Sequence, residues 1–313
     1  MISICLLSYN RPEMLERALK SILIQEVADL EILICDDRSE DKHWPTISAL
    51  GLLDKRIRIH RNERNLGAVK NLNNSLDLAR GEWILIFNDD DVMLPSMLLK
   101  EKEFIKNNPN IGFVYCDGFS VSSIGKKMLR TCPTKPILKA GEEALNHIVF
   151  HFNIFATCVL VNRKCYGKLG KWTDTVSPDW EMWSRIASQY DIGHINEPLI
   201  EVYLHNVSSS SPVSRYENDW VMLNKLVCSY YPVHMQKDLL PLMLTSMAEG
   251  FWSMGYQAWL QGDWLRGMKF MKAGRKYLQG KLWWYRFLNY SFFALPRRVK
   301  YVLTDKEVYE SHV

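Results

Sequence analysis

The chain has 313 residues, enough for two domains or for one domain of about 200 residues with an appendage. Hydrophobic residues at 47% and charged residues at 24% exclude disorder and a collagen-like repeat, and a net charge of +4 gives no bulk electrostatic case for nucleic-acid binding. Seven cysteines without a CxxC pair make no disulfide framework, the first apolar run opens at Ile2 with no room for a signal peptide, and no eighteen-residue apolar stretch exists, so a reducing cytoplasm is the expected setting.

Ile2 to Leu7 is a continuous apolar run, the pattern of a strand buried on both faces. A helix is predicted next: Asn10 is placed to cap it, Glu13 follows as in a capping box, and Leu15, Ala18, Leu19 and Ile22 share one face. Leu30 to Cys35 reads as a second buried strand ending in Asp36-Asp37, with a shorter one around Ile57 to His60. Val69, Leu72, Leu76 and Ala79 recur at helical spacing, and Gly81 stands where that helix would end. Trp83 to Phe87 is a further buried strand that breaks off in Asn88-Asp89-Asp90-Asp91, before Leu94-Pro95 and a helix through Phe104.

Beyond this point strands are expected at 112–116, 154–162 and 199–204, with a helix starting near Pro178. Ser208 to Pro212 is a breaker segment, and the remainder reads as helix, with Met247 to Leu260 and Leu265 to Leu278 forming a hairpin through Gly262-Asp263. Alternating strands and helices predict an α/β fold with a mainly parallel sheet. In such sheets the carboxyl ends of strands line the ligand crevice, so Ser8-Tyr9-Asn10, Asp36-Asp37 and Asn88 to Asp91 are expected to converge.

Asp89, Asp90 and Asp91 are adjacent carboxylates, and like charges this close repel unless a cation neutralises them. Hard oxygen ligands on one short loop suit Mg²⁺ or Mn²⁺, although a solvated turn would use the same residues.

Ser8-Tyr9-Asn10, Asp36-Asp37-Arg38-Ser39, Asn65-Leu66-Gly67 and Asn88-Asp89-Asp90-Asp91 with Leu94-Pro95, in this order, resemble family 2 glycosyltransferases over roughly residues 1–205. The resemblance implies a GT-A fold: a Rossmann-like mixed, mainly parallel sheet flanked by helices over 1–212, its nucleotide half at 1–100 and its acceptor half at 101–212. A helical region follows at 213–313. It also implies inverting transfer from a nucleoside-diphosphate sugar, UDP-linked, to a hydroxyl of a glycan or lipid-linked acceptor, as in surface-polysaccharide or glycan assembly.

Carried over by position, Tyr9 and Asp37 contact the base and Asp36 supports their loop. Ser8, Asn10, Asn65, Asn71, Asn88 and Asp89 belong to the nucleotide site. Asp90 aligns with the carboxylate that binds Mn²⁺ or Mg²⁺, and many members carry Asp where this chain has Asn88. His205 matches a late histidine that returns towards metal and diphosphate.

Asp179, in Ser177-Pro178-Asp179-Trp180-Glu181, matches the catalytic base that takes the acceptor hydroxyl's proton. Asp179 and Glu181 at a helix start would equally complement its dipole. Glu181 is the reserve base, Trp180 a candidate to stack on a sugar, and Asp91 a secondary acceptor-side residue. Aromatics beside cations across 281–300 suit a peripheral contact at the cytoplasmic membrane face, or packing against the catalytic domain. Two rivals stay open. A nucleotidyltransferase would want a basic, glycine-rich loop after the first strand, where Asn10-Arg11-Pro12-Glu13 has one Arg and no glycine; the other is a non-catalytic carbohydrate-binding or scaffold protein on the same fold.

Overall fold

The computed structural model describes residues 1–131, 134–151, 154–204, 213–260 and 262–278. Packing divides the chain into two compact units, Met1–Ser210 with Lys225–Gln236, and Ser211–Asn224 with Lys237–Val313. Where the sequence suggests one cut at 212, the chain returns to the first unit before finally leaving it.

In the first unit, β1 (Ile2–Ser8) and β2 (Leu30–Asp36) are buried along nearly their whole length, as continuous apolar runs require of interior strands. The helix between them, α1 (Pro12–Leu23), buries Leu15, Ala18, Leu19 and Ile22. Its start differs from the expected capping box. Arg11 is the N-cap residue without a side-chain bond, Pro12 opens the helix, and Asn10 sits in the left-handed region at φ 58°. Asn10 joins two loops instead: its N–H donates to Ser39 Oγ at 2.9 Å and its Oδ1 accepts from the Glu40 N–H at 2.8 Å.

With α2 (Trp44–Leu50), β3 (Ile57–Arg61), α3 (Ala68–Leu78) and β4 (Trp83–Asn88), four strands of the sheet stand in the order β3-β2-β1-β4, every pairing parallel. Ser8 lies opposite Asp36 and Leu7 opposite Asn88, so this register delivers three loops to one edge. Helix α3 stops at Leu78 with Ala79 already extended, so Gly81 is not its terminator. Gly81 is required for space: a Cβ there would fall 2.6 Å from the Ser3 backbone nitrogen and 2.9 Å from the Trp83 carbonyl oxygen. Gly81→Ala is expected to destabilise the protein by about 1–3 kcal/mol through overpacking, read as a lower urea midpoint at unchanged m-value.

The sheet continues through β5 (Val92–Met93), α4 (Met97–Asn107), β6 (Phe113–Val121), β7 (Lys127–Arg130), β8 (Ile137–Leu138), α5 (Glu142–Phe150), β9 (Val159–Asn162), α6 (Arg163–Leu169), α7 (Pro178–Ala187) and β10 (Ile192–Tyr203). Strand β9 inserts antiparallel between β4 and β6, β6 pairs parallel with β10, and β5 lies antiparallel on β10, which makes the sheet mixed. The strand expected over 154–162 is shorter because Ala156–Cys158 forms a 3₁₀ turn, whereas those at 112–116 and 199–204 are parts of the longer β6 and β10.

The chain then forms α8 (Val213–Cys228), α9 (Val233–Leu260) and α10 (Trp264–Arg275). In the second unit, Met247, Phe251, Phe270 and Ala273 form a core against Tyr216 and Trp220. The hairpin turns at Gly262, φ 84°, and Asp263 caps α10 by accepting from the Arg266 N–H at 3.0 Å. Glycines let the two helices touch: a Cβ on Gly255 would lie 2.9 Å from the Gly267 carbonyl oxygen. Among the described residues no helix is long and apolar enough to cross a membrane, and the six of the seven cysteines that fall there are all free and buried.

Candidate active site

The strand order reverses across β1 and β4, and a crevice opens beyond the carboxyl ends of strands at such a switch point. A cavity of about 510 Å³ lies there, walled by Ser8, Tyr9 and Arg11 after β1, Asp37 after β2, Asn65, Gly67 and Asn71 around the start of α3, and Asn88, Asp89 and Asp90 after β4. The predicted convergence of the three strand ends is thus present. Ser8 is buried, and its Oγ has no partner among the described residues. Tyr9 and Asn65 are exposed.

The second loop is built by its own carboxylates. Asp36 is fully buried and accepts from the Ser39 N–H at 3.0 Å and from the Ser39 hydroxyl, with Arg61 Nε 3.4 Å away. Asp37 Oδ1 accepts from the Leu66 N–H and from Asn62 Nδ2, each at 2.8 Å, while Oδ2 accepts from the Gly67 N–H at 2.9 Å. These bonds fix the turn before α3, where Gly67 adopts φ 83°, a conformation open to glycine.

Asn71, expected at base or ribose, has its amide committed to protein: Nδ2 donates to the Cys35 carbonyl at 3.0 Å and Oδ1 accepts from Asn62 at 2.9 Å. It is a buttress of the wall. Asn62, which sequence reasoning missed, links Asp37, Asn71 and Asn74. Its one signal was a polar residue directly after a strand, as at Asp36-Asp37.

The acidic run divides by environment. Asp91 is buried, with Oδ2 accepting from Thr157 Oγ1 at 2.9 Å and Oδ1 from the Tyr203 N–H at 3.2 Å. Burial and then repulsion from Asp90 push its pKa up to about 7. It ties β10 to the loop and does not line the cavity, so its expected acceptor-side role is replaced by a structural one. Asp89 is also buried, and burial followed by the Asp90 charge raises its pKa to about 6, against the pull of Arg11. Arg11 NH1 lies 3.0 Å from Asp90 Oδ2 and 3.5 Å from Asp89 Oδ1. Arg17 NH2 donates to the Asp90 carbonyl at 2.6 Å, with its guanidinium over the Tyr203 ring at 4.0 Å. Arg17 was not singled out in the sequence, and Arg11 entered only as the one cation of the loop after the first strand.

Among the described residues no three His, Cys, Asp or Glu side chains form a metal cluster. His205 lies outside those residues. The ledge nevertheless fits a hard divalent ion. It offers two carboxylates, Asp89 and Asp90, whose mutual repulsion is already met by a guanidinium standing where a cation belongs. Mg²⁺ commonly uses one or two carboxylates and completes its shell with water and substrate phosphate.

At the start of α7, Asp179 is half-buried and accepts from Ser177 Oγ at 2.8 Å. It does not line the cavity. Trp180 and Glu181 depart from expectation. Trp180 is buried and donates through Nε1 to the Ile148 carbonyl at 3.1 Å, so no ring face is offered to a sugar. Glu181 is buried, accepting from Thr173 Oγ1 at 2.7 Å, Arg185 NH2 at 2.9 Å and the Tyr230 hydroxyl. A carboxylate so fully engaged holds the fold.

The sequence profile of Glycosyl transferase family 2 matches residues 3–168. An uncharacterised glycosyltransferase of Methanocaldococcus jannaschii is 29% identical over 213 residues, which cover 66% of this chain and 71% of the relative. The UDP-Glc:alpha-D-GlcNAc-diphosphoundecaprenol beta-1,3-glucosyltransferase WfgD of Escherichia coli is 32% identical over 115 residues, 37% of this chain and 44% of the relative. Among solved structures, S. aureus TarS 1-349 in complex with UDP-GlcNAc matches with a TM-score of 0.60 at 11% identity, covering 88% of this chain and 91% of that one.

Proposed function

Because this chain belongs to glycosyl transferase family 2 and is a glycosyltransferase of GT-A fold, we propose that it moves a sugar, with inversion, from a UDP-linked donor to a hydroxyl of a glycan or lipid-linked acceptor. The observation that carries this reading is the cavity where Asp37 and the Asp89-Asp90 ledge meet across the β1–β4 switch point. Asp37 is held with both oxygens in the wall and accepts the imide N–H of uracil as a further bond. Tyr9 covers the base, and the unpartnered Ser8 hydroxyl and Asn65 serve the nucleoside. The names of the relatives support the donor and acceptor classes: one uses UDP-Glc on a diphosphoundecaprenol-linked sugar, and one structure is a UDP-GlcNAc complex.

Asp90, with Asp89 beside it, would hold the ion, and His205 is the proposed further ligand. A bound Mn²⁺ or Mg²⁺ supplies Lewis-acid stabilisation of the charge that develops on the leaving diphosphate. Asp179 takes the proton of the acceptor hydroxyl as that oxygen attacks the anomeric carbon from the face opposite the leaving group. An acceptor on a lipid carrier would place the enzyme at a membrane surface. Residues 281–300, read as a membrane contact, lie outside the described residues.

A panel of nucleotide sugars assayed for Mn²⁺-dependent binding and nucleotide release tests the reading. A UDP-sugar that binds and is turned over with acceptor supports it; no binding of any donor overturns it, and binding without transfer favours the non-catalytic alternative. Arg11 gives a more local check. As an exposed ion-pair partner of the ledge, it competes with the metal, so Arg11→Ala is expected to raise Mn²⁺ affinity without nucleotide by about 2–5-fold, measured by electron paramagnetic resonance.

A further inference from the structure

Helix α10 presents two chemically different sides. Gly267, Phe270, Ala273 and Gly274 are buried within the second unit. Elsewhere on the helix, Trp264, Leu265 and Met268 are 64%, 62% and 54% exposed, and Lys269, Lys272 and Arg275 are exposed as well. At 100° per residue these six positions share an arc of about 140°. No acidic residue occurs from 264 to 276, and Glu217 accepts from Lys276 and Tyr277.

Three adjacent large apolar side chains in water mark an interaction surface, and their chemistry selects the partner. Tryptophan favours headgroup depth, Leu and Met favour the acyl boundary, and exposed lysines such as Lys269 and Lys272 favour anionic phosphates. A helix of 12 residues is only about 18 Å long, too short to cross hydrocarbon about 30 Å thick, so it can only lie along the interface. We propose that the exposed face of α10 docks this protein on an anionic lipid bilayer. The inference rests on the exposure and charge of α10, not on the donor chemistry of the first unit.

The test is flotation of the full chain with phosphatidylcholine vesicles, with and without phosphatidylglycerol. Two variants are compared with the parent: Trp264→Ser/Leu265→Ser/Met268→Ser, and Lys269→Glu/Lys272→Glu. The parent is expected to float with the anionic vesicles and to be released by salt. Each variant should lose about fivefold or more of its bound fraction, given roughly 1 kcal/mol per surface cation. Circular dichroism and UDP-sugar binding, unchanged in both variants, keep misfolding apart from loss of the surface. Parent protein that stays unbound, binds neutral vesicles equally, or floats equally well in variant form overturns the proposal. So does self-association that the triple variant abolishes, because the face would then belong to a second copy. Failure of UDP-sugar binding in the parent would count against the glycosyltransferase donor reading alone and leave the flotation result standing.

Discussion

Asp179→Asn is expected to bind UDP-sugar as the parent does, within about twofold, and to transfer it about 10²–10⁴-fold more slowly, the usual contribution of a positioned general base. The substitution is nearly isosteric. Asn keeps an acceptor oxygen for the Ser177 hydroxyl at the start of α7, so the local fold has no reason to change. What disappears is the carboxylate oxygen proposed to take the acceptor's proton. Calorimetry would report donor affinity, and nucleotide release with acceptor present would report the rate. Transfer at the parental rate would remove Asp179 from the reaction. Glu181→Gln is the matched control: it breaks a buried ion pair with Arg185 and should lower the unfolding temperature, with the rate per folded molecule kept.

The contrast between Asp179 and Glu181 shows where the sequence is readable. Both are carboxylates in the first turn of the same helix, and no local pattern separates them. Their difference comes from Thr173 in the preceding loop and from Tyr230, 49 residues further on, both of which reach Glu181. By contrast, β1, β2 and β4 were plain as apolar runs because parallel strands covered on both faces must be apolar throughout. Once those strands are parallel neighbours, the loops that follow them must meet, so the convergence of Ser8, Asp37 and Asp89 is legible in the sequence.

Other features depended on three-dimensional neighbours. The insertion of β9 between β4 and β6 follows from non-local pairing, which periodicity does not encode. Gly81 looked like a helix terminator, yet its reason is the Ser3 backbone across the sheet. Asn10 and Asn71 carried the right residue type for a ligand contact, but Asn10 ties loops and Asn71 holds the Cys35 carbonyl. Asn is a donor and acceptor in either setting, so only the partners decide.

Asp90→Ala should be the most damaging change on the acidic ledge, with kcat/KM lower by about 10²–10³-fold, or about 3–4 kcal/mol of transition-state stabilisation. The reason is division of labour among three consecutive residues. Asp91 is spent on Thr157 and Tyr203, and Asp89 is buried against the Tyr9 N–H. Asp90 is the least buried of the three and already faces a cationic group, Arg11. With Asn at position 88, no fourth carboxylate stands ready to replace it. The loss should also be selective. If Asp37 and not Asp90 receives the base, uridine should bind Asp90→Ala as it binds the parent, whereas Mn²⁺ in the presence of UDP should bind far more weakly. Calorimetric titration with uridine, UDP and Mn²⁺ separates the two. Equal Mn²⁺ affinity in Asp90→Ala and parent would mean that the ion is held elsewhere, and the ledge would then be an anchor for Arg11 and Arg17 alone.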